Sequence, residues 1–90
     1  CFSGFGEIDP NEGNLGIYRS FLIAGAKSVI ISLWNVEDES TSILFSKFYE
    51  YLIEGNSKAK SLRLAKMYLK NETRFSHPFY WAPFILMGES

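Results

Sequence analysis

The stretch EGNLGIYRSFLIAGAKSVIISLWNVED, Glu12 to Asp38, decides the fold class. Its second half, Ser28-Val29-Ile30-Ile31-Ser32-Leu33-Trp34, is apolar on nearly consecutive positions with β-branched residues at its centre. A strand with one wet face alternates apolar and polar residues, whereas this one reads as buried on both faces, as strands of parallel sheets are. Its first half places Leu15, Tyr18, Leu22 and Gly25 at helical spacing, with Ile17, Phe21 and Ala24 beside them. That periodicity predicts an apolar helix, capped by Asn14 and closed by Gly25. A helix running into a buried strand is half of an α/β unit. In open α/β sheets ligands bind beyond the carboxyl ends of the strands, so the loop Asn35-Val36-Glu37-Asp38-Glu39 is the predicted binding edge. Asn35, Glu37 and Asp38 are its candidate substrate-binding residues. A pocket for a cationic group is one use of the acids; the other is favouring the N-terminus of the next helix through its dipole.

Downstream, Thr41, Leu44, Phe45, Phe48 and Leu52 repeat at helical spacing up to Gly55. Ser57 is placed to cap a further helix with Leu62, Ala65, Tyr68 and Leu69 inside and Lys58, Arg63, Lys66 and Lys70 outside. That basic exterior is expected to be a solvated face. His77 to Ala82 is an aromatic cluster, and Phe84 to Gly88 a last strand whose entry is restricted by Pro83.

The 90 residues are 47% hydrophobic and 17% aromatic, yet a domain of this size buries only about 60% of the surface of its unfolded chain. The two strands legible in the sequence cannot shield Val29 to Leu33 on both faces and both edges. The expectation is therefore that residues 1–90 are one portion of a larger α/β domain, with further strands in an N-terminal part not in this chain. The absence of an initiating Met and of a leader points the same way. Apolar runs are too short to cross a bilayer, and the net charge of −1 gives no general attraction to nucleic acid, so neither membrane nor nucleic acid is an expected partner. A single cysteine excludes a disulfide framework and fits a reducing, cytoplasmic setting.

Cys1 precedes the flexible run Phe2-Ser3-Gly4-Phe5-Gly6. A lone cysteine is ordinarily a small buried hydrophobe, but a thiol before a glycine-rich turn is also a candidate nucleophile. If a strand leads into it, the thiol emerges on the same sheet edge as the acidic loop. His77, the only histidine, sits among bulky aromatics, where a hydrogen-bonded packing role is expected in preference to a dyad with Cys1. Asp9, Asn11 and Gly13 do not complete a calcium loop, and Gly4 and Gly6 do not complete a dinucleotide fingerprint, so no metal and no cofactor are expected.

Taken in order, Cys1-Phe2-Ser3-Gly4, Glu12-Gly13-x-x-Gly16, Phe21-Leu22-x-Ala24-Gly25-Ala26, Leu33-Trp34-x-Val36-x-Asp38 and His77-Pro78-x-Tyr80-Trp81-Ala82-x-Phe84, ending in Gly88, resemble the CHAT family. That family is a branch of the caspase-like cysteine peptidases related to separase. The resemblance covers nearly the whole chain. It implies the C-terminal part of a caspase-like three-layer α/β sandwich with a mostly parallel sheet, beginning at the catalytic Cys1. It also implies a general base in a His-Gly pair on an earlier strand, absent here, and leaves His77 to the C-terminal packing signature. The oxyanion would meet the backbone N–H of Cys1 and that of the glycine after the missing histidine. Asp38 resembles the acid that faces a basic side chain before the scissile bond in separase-like relatives. Phe2 stands where many members carry an acid, a departure that touches substrate preference. The implied partners are a protein or peptide substrate, the N-terminal half of the same domain, and repeat domains in the full-length protein. An inactive scaffold that binds protein partners is the alternative.

Overall fold

The computed structural model describes residues 7–8, 19–22 and 27–88. The element order is β1 (Glu7–Ile8), β2 (Arg19–Leu22), β3 (Ser28–Ser32), α1 (Asp38–Ile53), α2 (Lys58–Glu72), a short 3-10 turn (Pro78–Tyr80) and β4 (Phe84–Gly88). The chain divides into two compact units: residues 1–35 with 83–90 hold the strands, and Val36–Ala82 holds the helices.

In the strand unit the order is β1-β2-β3-β4, and every pairing is antiparallel. The α/β class expected from sequence is present; the mostly parallel sheet is not found among the described strands. The reason is that a continuous apolar run reports burial on two faces, and burial does not fix the direction of a neighbour. β3 is indeed buried, with Ile30 fully enclosed and Ile31 8% exposed. Arg19–Leu22 is also a correction, because the predicted helix spans it and the structure makes it a strand paired with β3 from Arg19↔Ser32 to Leu22↔Val29. A buried strand must satisfy the N–H and C=O groups of both its edges, and that demand overrides a local helical period. The rest of that expected helix, including Asn14 and Gly25, lies outside the described residues.

β4 takes the other edge of β3, from Ser28↔Gly88 to Ser32↔Phe84. Just past that ladder, the Leu33 N–H donates to the Pro83 carbonyl at 3.1 Å, and the Ser32 hydroxyl donates to the Trp34 carbonyl at 2.6 Å. The strand therefore ends in a hydrogen-bonded turn that delivers the chain to Asn35. The other end of the ladder depends on Gly88, whose φ is +107°. A Cβ there would run into the Lys27 carbonyl oxygen and the Ser28 backbone, neither of which can swing aside. Gly88→Ala is therefore expected to cost about 2–4 kcal/mol, backbone strain and overlap together. Gly55 has the same φ with nothing within 4 Å of its Cβ site, so Gly55→Ala carries the strain alone, about 1–2 kcal/mol. Urea titration of both variants checks the pair; equal losses would show that the close approach at Gly88 relaxes.

The helical unit follows the sequence closely. Leu44, Phe45 and Phe48 of α1 and Leu62, Ala65 and Leu69 of α2 are buried, on the inward faces that the spacing predicts. Gly55 closes α1 in a Schellman arrangement: its N–H donates to the Leu52 carbonyl at 3.0 Å, and that of Asn56 to the Tyr51 carbonyl at 3.3 Å. Ser57 caps α2, its hydroxyl accepting from the Lys60 N–H at 3.1 Å. Lys47 of α1 reaches over the Tyr68 ring of α2, 4.3 Å from its centroid, while its ammonium donates to Glu50 at 3.0 Å. That hydrogen bond raises the lysine above its usual pKa.

Candidate functional site

Chemistry in this chain was expected at Cys1 and at the acidic loop. Cys1 lies outside the described residues. Asn35 is exposed at the end of the strand unit, while Glu37 and Asp38 open the helical unit.

The loop's three carboxylates are placed differently. Glu37 is the N-cap of α1: its carboxylate accepts from the Ser40 N–H at 2.6 Å. Its carbonyl accepts from the hydroxyls of Ser40 at 3.2 Å and Thr41 at 3.0 Å, which satisfies two fully buried polar side chains. Glu37 is thus engaged in holding the helix start. Asp38, with the cap position already filled, is exposed at the first helical residue. Glu39 pairs with Arg74, Nη2 to Oε1 at 2.7 Å, across two exposed side chains. An exposed pair of this kind contributes on the order of 0–1 kcal/mol, but it sets Glu39 against the chain just beyond α2. Thirty-five residues separate the two, and no local signal in the sequence could have joined them.

His77 is hydrogen-bonded as expected, but it is exposed and not packed inside the aromatic cluster. Its Nδ1 accepts from the Phe79 N–H at 3.0 Å, capping the turn Pro78–Tyr80. The Nδ1 lone pair is thereby engaged in holding the turn. Around it the Phe75 and Tyr80 rings meet edge to face at 5.0 Å, and the Trp81 indole N–H donates to the Ser76 carbonyl at 3.0 Å. No group of three or more His, Cys, Asp or Glu residues with the geometry for a metal occurs among the described residues. Nor is any helix there long and apolar enough to cross a membrane.

Compared with known families, the sequence matches the CHAT domain over residues 1–89. The chain belongs to the CHAT family. Among curated proteins this CHAT sequence is similar to tetratricopeptide repeat protein 28 of Homo sapiens, 35% identical over 77 residues that make up 86% of the chain. The Mus musculus protein of that name is equally similar over the same length. The chain spans 3% of the length of each relative. No solved structure matches it. Membership in the CHAT family accounts for the motif order from Cys1 to Gly88, and it is consistent with a caspase-like domain.

Proposed function

We propose that this CHAT domain, completed by the N-terminal residues of its full-length protein, is a cysteine endopeptidase of caspase-like fold. The observation that carries the reading is the family match from residue 1, which takes in Cys1 at the head of the Cys-x-Ser-Gly segment. Cys1 supplies the thiolate. It attacks the peptide carbonyl, the C–N bond breaks, the amine leaves with a proton from an imidazolium, and water releases the acyl group from sulfur. The imidazole comes from outside these 90 residues, since the only histidine here has its acceptor nitrogen committed to Phe79.

Asp38, exposed at the first residue of α1, is the residue that faces a basic side chain before the scissile bond; its place in the Leu33-Trp34-x-Val36-x-Asp38 motif of the matched family supports that role. Asn35 borders the same loop. Completion of the sheet into a three-layer sandwich is supported by β4, an edge strand on which Ile85 and Met87 remain 38% and 55% exposed. The relatives' name attaches tetratricopeptide repeats to those proteins, which supports repeat domains beside this one in its full-length protein.

The test is covalent labelling of the full-length protein with peptidyl acyloxymethyl ketones carrying either Arg or Asp as the residue next to the warhead. The expected adduct maps to Cys1 and forms faster with Arg, and Asp38→Ala removes that advantage. Absence of an adduct at Cys1 rejects the peptidase in favour of a binding scaffold. An unchanged preference in Asp38→Ala leaves the aspartate as part of the helix start alone.

A further inference from the structure

Charge in this chain is segregated. Residues 58–74 hold six of the nine Lys and Arg but one of the ten Asp and Glu, a local balance of +5; the remainder, three cations against nine acids, stands at −6. On α2 the spacing of Lys60, Arg63, Met67 and Lys70 alternates three and four residues, which keeps all four within a stripe about 80° wide and about 15 Å long. That stripe lies opposite the buried face of Leu62, Ala65 and Leu69, and each of its members is exposed. Met67, 48% exposed, sits at its centre with a cation to either side. Among the described residues no carboxylate pairs with Lys60, Arg63 or Lys70; Arg74, just past the helix, is the cation of this segment held by Glu39.

We infer that this stripe of α2 is a docking surface for an acidic helix of a partner protein. Lys60 and Arg63, together with Lys70, whose ammonium lies 5.9 Å from the centroid of the Trp81 ring and meets no carboxylate among the described residues, surround one apolar side chain and match the exposed face of a helix that carries carboxylates at i, i+3 and i+7 about a single Leu or Met, paired along α2 over three turns. The dimensions argue for that occupant. A nucleic-acid duplex or an anionic bilayer presents charge over a far broader front than this stripe, whereas a single helix is narrow enough to stay on it. One methionine is also too little apolar surface to hold α2 at a lipid interface.

The probe is a fluorescein-labelled sixteen-residue helical peptide with glutamates at those positions around one leucine, titrated with the full chain and followed by anisotropy. Its comparators are the same peptide with Gln for Glu, a twenty-nucleotide single-stranded DNA, and vesicles containing one third phosphatidylserine. Saturable binding of the acidic peptide is expected, weakening as salt rises. Arg63→Glu with Lys70→Glu should weaken it at least tenfold, and Met67→Gln several-fold. All three sites are exposed, so an unchanged far-ultraviolet circular dichroism melt separates lost binding from lost folding. Unaltered affinity in the charge-reversed variant, equal binding of the Gln peptide, tighter binding of DNA or vesicles, or no binding at all would each overturn the assignment.

Discussion

Replacing Cys1 by alanine in the full-length protein is expected to lower peptide hydrolysis by at least about 10³-fold, with KM little changed. The proposed reaction needs an electron pair on sulfur to make the acyl-enzyme, and alanine offers none. What survives is the slow attack of water in a site that still binds the peptide, because the substitution removes one sulfur atom and leaves the other substrate contacts in place. A fall in kcat with KM preserved is therefore the diagnostic pattern, and any burst of acyl-enzyme formation disappears with it. A variant that kept turnover within tenfold of the parent would remove the thiol from the chemistry. The peptidase reading would then give way to the scaffold, since His77 caps its own turn and offers no second route.

Much of the helical unit was legible because its signals are local. A helix start needs an acceptor for its first N–H groups and a helix end needs a residue tolerant of positive φ, so Ser57 and Gly55 mark their places in the sequence itself. The inward faces of α1 and α2 follow from a period of 3.6 residues. The sheet was harder. Val29 to Leu33 announced burial, which holds for Ile30 and Ile31 while Leu33 is 41% exposed, but not strand direction, and Arg19–Leu22 carried a helical period that pairing with β3 overrode. Within the acidic loop, sequence could not decide which acid caps the helix. Glu37 and Asp38 are one residue apart, and the choice rests on where the first helical turn begins. The Glu39–Arg74 pair illustrates the general limit: a contact between the start of one helix and the chain beyond the next has no footprint at short range.

Phe48→Ala is the stability change with the largest expected effect, a loss of about 3–5 kcal/mol. Phe48 is fully buried near the middle of α1, with the ring of Tyr49 edge to face at 5.2 Å and that of Phe45 at 6.4 Å. Truncation removes the transfer free energy of the ring, leaves a cavity that two helices tied by caps and a Schellman turn can only partly close, and breaks both aromatic pairs, each about 0.5–1.5 kcal/mol beyond area. A domain of this size has about 5–15 kcal/mol in total, so about a fifth of it or more goes with one side chain. In urea the midpoint should fall with the slope unchanged, since the surface exposed on unfolding is nearly the same. Ile53, on the same helix but 84% exposed, supplies the control: Ile53→Ala should stay within about 0.5 kcal/mol. Both substitutions remove a large apolar side chain from α1 and both place a good helix former there, so propensity alone predicts similar small changes. A loss below about 1 kcal/mol at Phe48 would mean that the ring is not enclosed in solution and that α1 turns a different face inward.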